Sequence, residues 1–141
     1  TSLKEIERTG IEISGLVTSQ LLINIFEHNT PLHDGAVVIR GNRVAAATCY
    51  LPLSDNMSIN KALGTRHRAA VGVSEATDSV TLVVSEETGR VSVAVSGRLK
   101  SVKDGDELRD MLSVLVKRET ENTGRFRIWK GRRRNERKAD E

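Results

Sequence analysis

The chain has 141 residues and a formal net charge of +3; 38% of its residues are apolar, and one is a cysteine. This length predicts a single domain with one hydrophobic core, and a lone cysteine excludes an internal disulfide and favours a reducing compartment. No apolar run approaches the ~18 to 20 residues that a membrane-spanning helix needs, and the chain opens with no signal-peptide pattern.

Charge is unevenly distributed along the chain. Lys117 to Glu141 contains ten basic and five acidic residues, whereas the first 116 residues contain twelve basic and fourteen acidic ones. We therefore expect a mildly acidic domain over residues 1–116, followed by a basic, disordered tail over residues 117–141. The acidic domain and the 3% aromatic content argue against nucleic acid as the partner of the folded part.

The pattern at the start of the chain is ambiguous, because Gly10 and Gly15 interrupt a short helical spacing of apolar residues. After it, Thr18 or Ser19 can cap a helix, which ends before Pro31 because the residue preceding a proline is pushed out of the α region. The apolar face of this helix would consist of Leu21, Leu22, Ile25 and Phe26.

Two apolar runs, residues 35–40 and 43–50, follow and are joined by Gly41-Asn42, which is a hairpin signal. Both runs are apolar at nearly every position, which is typical of strands covered on both faces. Cys49 lies in the second run, and we interpret it as a small core residue.

The second half of the chain predicts further helices and strands. Thr65 can cap a helix that ends near Ala76, preceded by a single helical turn over residues 59–63. Residues 80–85 and 91–96 predict two strands, and Asp104 can cap a last helix. The apolar face of that helix would consist of Leu108, Met111, Leu112 and Leu115. This order of elements predicts an α/β fold, a single domain with a mixed central β-sheet flanked by helices.

His33-Asp34-Gly35 places an imidazole, a carboxylate and a glycine at the start of an apolar run. A carboxylate supplies the hard oxygen that Mg²⁺ or Mn²⁺ requires, and a neighbouring imidazole favours Mn²⁺. The glycine lets backbone approach a ligand closely. An Asp-Gly pair is equally typical of a simple turn, so the residues alone leave a metal site and a turn open.

Thr65-Arg66-His67-Arg68 gathers two guanidinium groups and an imidazole at a predicted helix start. Arginine side chains, backbone N–H groups and the helix dipole all bind phosphate oxygens there. Successive helical residues point about 100° apart, so these side chains converge only on a ligand above the first turn. The alternative is a solvated helix start, but cations there oppose the dipole. This conflict favours a polyphosphate site.

Two further stretches are ambiguous. Ser85-Glu86-Glu87, at a predicted strand end, could add a metal ligand or hold a ribose or an arginine, but a charged hairpin tip is the commoner structure. Tyr50-Leu51 could bracket a base, although an edge of the core is the better interpretation from the residues alone.

Asp34-Gly35-Ala36 and Arg66-His67-Arg68 resemble the DGA and RHR motifs of the diadenylate cyclase (DAC) domain family. The surrounding residues, 29–36, 63–70 and 83–89, resemble the same family, and in particular its bacterial membrane-associated members. The resemblance extends from about residue 1 to about residue 115. Two motifs at this separation and in this context are highly specific.

The resemblance implies a nucleotidyltransferase that condenses two ATP molecules into cyclic di-AMP, a bacterial second messenger, and releases two pyrophosphates. One such domain binds one ATP, so catalysis is expected from a face-to-face homodimer. The implied cofactor is a divalent cation, Mn²⁺ or Mg²⁺, with Co²⁺ as a further candidate. An ATP-binding regulatory module without turnover is the alternative function.

The resemblance also implies roles for individual residues. The catalytic motif is Asp34, Gly35 and Ala36, in which Asp34 would deprotonate or orient the 3′-hydroxyl of ATP. The metal ligands would be His33, Asp34 and Glu87. The nucleotide-binding residues would be Tyr50, Leu51, Thr65, Arg66, His67, Arg68, Ser85 and Glu86.

Two features of the family differ from this chain. The family's domain has a further helix and strand ahead of the point where this chain begins, and its membrane-associated members carry N-terminal transmembrane helices. We therefore expect a soluble catalytic part of a protein at the cytoplasmic face of the membrane, attached only through segments that this sequence does not contain.

Overall fold

The computed structural model describes residues 2–52 and 64–123, with side chains through Leu115. The helices and strands, in chain order, are α1 Leu3–Arg8, β1 Ile11–Leu16, α2 Ser19–Ile25, a 3₁₀ helix Pro31–His33, β2 Ala36–Arg40, β3 Arg43–Cys49, α3 Thr65–Ala76, β4 Thr81–Val84, β5 Val91–Val95, β6 Arg98–Val102 and α4 Gly105–Thr123. The α/β fold class predicted from the sequence is confirmed, but the described strands form two antiparallel sheets in place of the single mixed sheet expected, because strand pairing is set by long-range contacts.

The chain divides into two compact units. The first unit is built on Glu7–Tyr50 and on the chain from Asp104 onward, and the second on the residues through Ile6 and on Leu51–Lys103. In the described part of the chain each unit contains one three-stranded sheet, and the neighbouring strands of both sheets are antiparallel.

The sheet of the first unit has the strand order β1-β3-β2. Its core joins Ile25 of α2 to Val44 and Ala47 of β3. The central strand β3 buries successive residues, so both of its faces are covered, as its apolar run predicts. The predicted β2–β3 hairpin is confirmed, and Gly41 supplies the positive φ of its turn, 64°.

Helix α2 follows the prediction at its start and departs from it at its end. Thr18 is the N-cap, and its hydroxyl oxygen accepts a hydrogen bond from the Leu21 N–H at 3.1 Å. Phe26, predicted on the buried face, is instead 50% exposed. The physical reason is that the helix ends at Ile25 and Phe26 is its C-cap, with non-helical backbone.

The sheet of the second unit has the order β4-β5-β6, and α3 packs against one of its faces. Ala70 of α3 forms a buried cluster there with Val83 of β4 and Ala94 of β5. The hydroxyl of Ser74 donates to the Val71 carbonyl oxygen at 2.8 Å and accepts from the Gly97 N–H at 2.9 Å. This second hydrogen bond ties the helix to the turn between β5 and β6.

The two longer helices begin differently. Gly64 is the N-cap of α3 and makes no side-chain capping hydrogen bond, so the prediction that Thr65 is the cap is wrong: Thr65 is already the first helical residue. Asp104 caps α4 as predicted, since its Oδ1 accepts from the Glu107 N–H at 2.9 Å.

Helix α4 continues to Thr123, so the first residues of the predicted tail are helical. The tail from residue 124 and the predicted helical turn over residues 59–63 lie outside the described residues. Among the helices of the described ranges, none combines the length and the apolar character that crossing a lipid bilayer requires.

Candidate functional site

Asp34 lies at the junction between the 3₁₀ helix and β2, in the first unit. Pro31 occupies the first position of that helix, where its fixed φ favours the turn. Asp34 leaves the helix with extended backbone and an exposed side chain, and β2 begins two residues later at Ala36. The predicted catalytic carboxylate is therefore presented to solvent at the start of a strand.

His33 is oriented by the backbone of the same turn. Its Nδ1 lies 2.6 Å from the carbonyl oxygen of Thr30. Because a carbonyl oxygen only accepts, Nδ1 donates its proton, and the neutral imidazole keeps a lone pair on Nε2. Metal-ligating histidines are usually held in this way by a carbonyl or carboxylate. The imidazole nitrogen and the neighbouring carboxylate of Asp34 fit the chemistry of the predicted cation site.

Gly35 occupies a position that other residues cannot adopt without strain. Its φ is 124°, and a Cβ built on it would lie 2.9 Å from the Cα of Thr48. The sequence predicts that this glycine lets backbone approach a ligand. The neighbour that comes close is the backbone of β3, so the glycine is required by the fold of the site itself.

Thr48 is a site residue that the sequence analysis missed. It lies in a β-bulge of β3 with a φ of 58°, which is unusual for a β-branched residue. Its hydroxyl lies 3.4 Å from the Pro31 carbonyl oxygen and 3.3 Å from that of Leu32, so it donates to the 3₁₀ helix that precedes Asp34. No residue pattern marks such a position, because threonine disfavours this conformation.

Tyr50 follows β3 and is 80% exposed. Its N–H donates to the Thr9 hydroxyl at 2.8 Å, which fixes the backbone at this point. The interpretation of Tyr50 as an edge of the core is therefore wrong, and its ring is accessible for stacking on a base. Leu51, the residue paired with it in the prediction, is half-buried and belongs to the second unit.

Cys49 lies between these residues and is 2% exposed, which confirms its prediction as a core residue. Burial raises the pKa of its thiol above the ordinary value of 9.0, and the Glu7 carboxylate raises this pKa further. The thiol is therefore protonated at neutral pH and is not an activated nucleophile.

The basic motif lies at the start of α3, in the second unit. The first hydrogen bond of this helix runs from the Arg68 N–H to the Gly64 carbonyl oxygen at 3.2 Å. The N–H groups that precede it stand at the positive end of the helix, where an anion can accept from them. Thr65, Arg66 and Arg68 are exposed and His67 is half-buried.

Arg66 forms an ion pair with Glu86. Its Nη2 lies 2.5 Å from Oε1 of Glu86, and the two side chains are 47% and 70% exposed. The charged hairpin tip favoured for Glu86 from the residues alone is confirmed, since Glu86 lies exposed in the turn between β4 and β5. The arginine partner, which was left open as an alternative role, is also present.

Ser85 and Glu87 flank Glu86 in the turn between β4 and β5. The Ser85 hydroxyl oxygen accepts from the Thr88 N–H at 3.3 Å, so this side chain stabilises the turn. Glu87 is exposed. The predicted nucleotide contact of Ser85 and the predicted metal contact of Glu87 remain predictions.

The predicted residues fall into two groups, one in each unit. The first unit contains His33, Asp34, Gly35, Ala36 and Tyr50, and the second contains Leu51, Thr65, Arg66, His67, Arg68, Ser85, Glu86 and Glu87. Within the ranges that the structure describes, no group of three or more His, Cys, Asp or Glu side chains could hold a metal ion by itself. The predicted ligands His33 and Asp34 are adjacent in one unit, and Glu87 belongs to the other.

Comparison with known proteins identifies the family. The DAC model, described as the DisA bacterial checkpoint controller nucleotide-binding domain, matches residues 1–99. The chain is 52% identical over 134 residues to cyclic di-AMP synthase CdaA of Bacillus subtilis, covering 94% of this chain and 49% of that protein. It is 50% identical over 132 residues to a diadenylate cyclase of Listeria monocytogenes, covering 93% and 48%. The chain thus spans about half the length of these relatives.

Solved structures agree with this assignment. A double mutant of DacA from Staphylococcus aureus has a TM-score of 0.76 and 48% identity, over 80% of this chain and 75% of that one. A hypothetical membrane spanning protein from Bacillus cereus has a TM-score of 0.70 and 43% identity, over 74% and 51%. The family match covers both motifs, and the fold agrees with a solved relative over most of the chain. The chain therefore belongs to the diadenylate cyclase (DAC) domain family.

Proposed function

We propose that this chain is the catalytic domain of a diadenylate cyclase, which condenses two ATP molecules into cyclic di-AMP and two pyrophosphates. The observation that carries the proposal is that both motifs, Asp34-Gly35-Ala36 and Arg66-His67-Arg68, lie within the DAC match. Relatives that share about half of the residues are named for this activity or its product.

Two identical steps make the product. In each, the 3′-hydroxyl oxygen of one ATP attacks the α-phosphorus of the other, and the bond from this phosphorus to the oxygen bridging to the β-phosphate breaks. Pyrophosphate leaves with the electron pair, and the hydroxyl proton must be removed. Asp34 is an exposed carboxylate on an ordered turn, which suits it to orient the hydroxyl and accept this proton.

The basic start of α3 would bind the triphosphate. Thr65, Arg66, His67 and Arg68 surround the end of the helix at which backbone N–H groups and the dipole favour anions. The guanidinium of an arginine also binds two phosphate oxygens at once through two parallel hydrogen bonds. Tyr50, whose ring is exposed, and Leu51 would contact the adenine. This catalysis rests on positioning and charge stabilisation.

A divalent cation, Mn²⁺, Mg²⁺ or Co²⁺, fits the donor atoms of His33 and Asp34. Such ions are commonly held by one or two protein carboxylates together with substrate phosphates. The bound cation would offset the negative charge of the phosphate groups. The residues of the chain would fix its place: the Thr30 carbonyl orients the His33 ring, and Thr48 holds the turn that precedes Asp34.

Two ATP molecules that attack each other must face each other, and one DAC domain is expected to bind one. We therefore propose a face-to-face homodimer as the active species. We also propose that the intact protein is associated with the membrane and presents this domain on the cytoplasmic side.

The experiment that tests the function is incubation of the chain with ATP and Mn²⁺, with chromatographic detection of cyclic di-AMP over a range of protein concentrations. We expect product, and a specific rate that rises with concentration as the dimer forms. ATP binding without product would support the regulatory module instead.

Asp34→Asn tests the role of the Asp34 carboxylate, because it removes the carboxylate and retains the size of the side chain. We expect it to abolish turnover while leaving ATP binding largely intact. Unchanged turnover would remove Asp34 from the mechanism.

A further inference from the structure

The first residues of α3 carry positive charge where a helix disfavours it. Arg66 is the second residue of the helix, and the dipole at this end repels cations. The Glu86 carboxylate offsets this charge, and its Oε1 lies 2.5 Å from Nη2 of Arg66. An exposed ion pair of this kind contributes little to stability, so its position calls for another explanation.

Packing within the second unit brings the two residues together. Arg66 precedes Ala70 by four residues and therefore lies on the same face of α3. Ala70 is buried against Val83 of β4. Glu86 follows Val83 by three residues, just past the end of β4. The contact of α3 with the sheet thus sets the start of the helix beside the turn that carries Glu86.

The turn itself is closed by hydrogen bonds. The Ser85 N–H donates to the Arg90 carbonyl oxygen at 2.9 Å, and the Gly89 N–H donates to that of Ser85 at 2.9 Å. The Thr88 N–H donates to the Ser85 hydroxyl at 3.3 Å. The Glu86 carboxylate is therefore presented to the guanidinium from an ordered segment.

We infer that Glu86 is a positioning residue that holds the Arg66 guanidinium ready for the triphosphate and does not itself contact the nucleotide; this inference rests on the proposed function. A guanidinium has five N–H donors, and the Glu86 contact uses one of its nitrogens, so donors remain for phosphate oxygens. A long arginine side chain loses conformational freedom when it binds, and prior orientation reduces that loss. A carboxylate would repel a triphosphate, which opposes direct contact between Glu86 and the phosphates.

A double-mutant cycle on ATP affinity tests the inference, with ATP and adenosine as probes in isothermal titration calorimetry. The variants are Glu86→Ala, Arg66→Ala and the double variant. We expect Glu86→Ala to weaken ATP binding about tenfold when Arg66 is present, the size of one lost charge-assisted hydrogen bond. With Arg66 already replaced, Glu86→Ala should change ATP binding by less than about twofold. Adenosine, which lacks phosphates, should bind all variants equally.

Two further variants control for folding. Glu86→Gln keeps an oxygen that accepts from Nη2 and should recover most of the ATP affinity. Asp106→Ala breaks another exposed ion pair, from Asp106 to Arg109 at 3.4 Å, and should leave ATP affinity unchanged.

Each contrary outcome has a distinct meaning. Equal or tighter ATP binding by Glu86→Ala would overturn the positioning role. The same weakening in the absence of Arg66 would also overturn it, because it would show direct contact with the ligand. Wild-type protein that fails to bind ATP would overturn the proposed function together with the inference. ATP binding with no cyclic product would contradict the cyclase activity alone. The ATP affinities of the variants would still test the positioning role through the double-mutant cycle.

Discussion

Gly35 shows how tightly one residue of the site is constrained. Its φ of 124° and the Thr48 backbone 2.9 Å from any added Cβ both exclude a side chain. We expect Gly35→Ala to lower the free energy of unfolding by roughly 2 to 4 kcal/mol, since a rare backbone conformation and a backbone clash are combined. Urea denaturation followed by circular dichroism measures this change.

Gly105→Ala is the control for Gly35→Ala. Gly105 begins α4, and a Cβ built there meets nothing within 4 Å. This variant should be neutral or more stable by up to about 1 kcal/mol, because alanine favours the helix. A Gly35→Ala protein as stable as Gly105→Ala would contradict the constraint.

Cys49 gives the stability of the protein a pH dependence. Its thiol has a raised pKa because burial, and then the Glu7 carboxylate, disfavour the thiolate. The unfolded chain therefore loses this proton at lower pH than the folded protein. The contribution of the thiol to the free energy of unfolding is fully present below pH 9.0, the ordinary pKa of a cysteine, and declines as pH rises above that value. Cys49→Ala has no thiol to titrate, so we expect its free energy of unfolding to decline less than that of the wild-type protein as the pH rises.

The measurement is urea denaturation of both proteins at several pH values from neutral to alkaline. The difference between the proteins is the informative quantity, because tyrosine and lysine groups also titrate in this range. Parallel pH curves for the two proteins would show that the thiol is not linked to folding.

Among the elements of the second unit, a hydrogen bond connects α3 to the turn between β5 and β6. The Gly97 N–H donates to the buried Ser74 hydroxyl at 2.9 Å. Ser74→Ala leaves this N–H without its partner, and we expect a loss of about 1 to 2 kcal/mol in unfolding free energy. Faster hydrogen exchange at the Gly97 amide should accompany it.

Ser101→Ala serves as the comparison for Ser74→Ala. Ser101 lies on β6 and is exposed, so its replacement should change stability by less than about 0.5 kcal/mol. If the two variants are equally stable, the hydrogen bond to Gly97 does not hold the turn.

The elements that the sequence predicts well are those with a regular spacing of apolar residues and a clear boundary. Thr18 and Asp104 cap the N-termini of α2 and α4, and Gly41-Asn42 connects strands β2 and β3 in a hairpin. β6 was missed although Ser96-Gly97 is a hairpin signal, and both of these residues have positive φ. β1 was missed because a bulge at Ser14 interrupts its pairing and its alternation.

The site was predictable in its residues and not in its contacts. The two motifs are recognisable because several chemically active residues are consecutive. The Arg66–Glu86 pair joins residues 20 positions apart, so it appears only when α3 packs on β4. Thr48 is hidden for another reason: its role depends on a backbone angle that its residue type disfavours. The assignment of the strands to two sheets likewise depends on long-range pairing, which local patterns do not specify.

The proposed face-to-face homodimer would place two chains in one active species. A protomer with Asp34→Asn would bind ATP without activating its 3′-hydroxyl. Its pair with a wild-type protomer could then form one phosphodiester bond but not the second. Such mixed dimers should accumulate a linear intermediate, in which the two adenosines are joined once and one pyrophosphate has been released.

Mixing the two proteins in equal amounts at constant total concentration tests this requirement. With random pairing, about one quarter of the dimers are wild-type on both sides, so cyclic di-AMP should form at about a quarter of the wild-type rate. Mixing with Gly105→Ala, a variant that we expect to be active because an added Cβ at Gly105 meets nothing within 4 Å, should leave the rate unchanged. A fall to one half, in proportion to the wild-type protein, would mean that each chain completes the reaction by itself. Because the linear intermediate is detected in the same chromatogram, the loss of the second step can be distinguished from a general loss of activity.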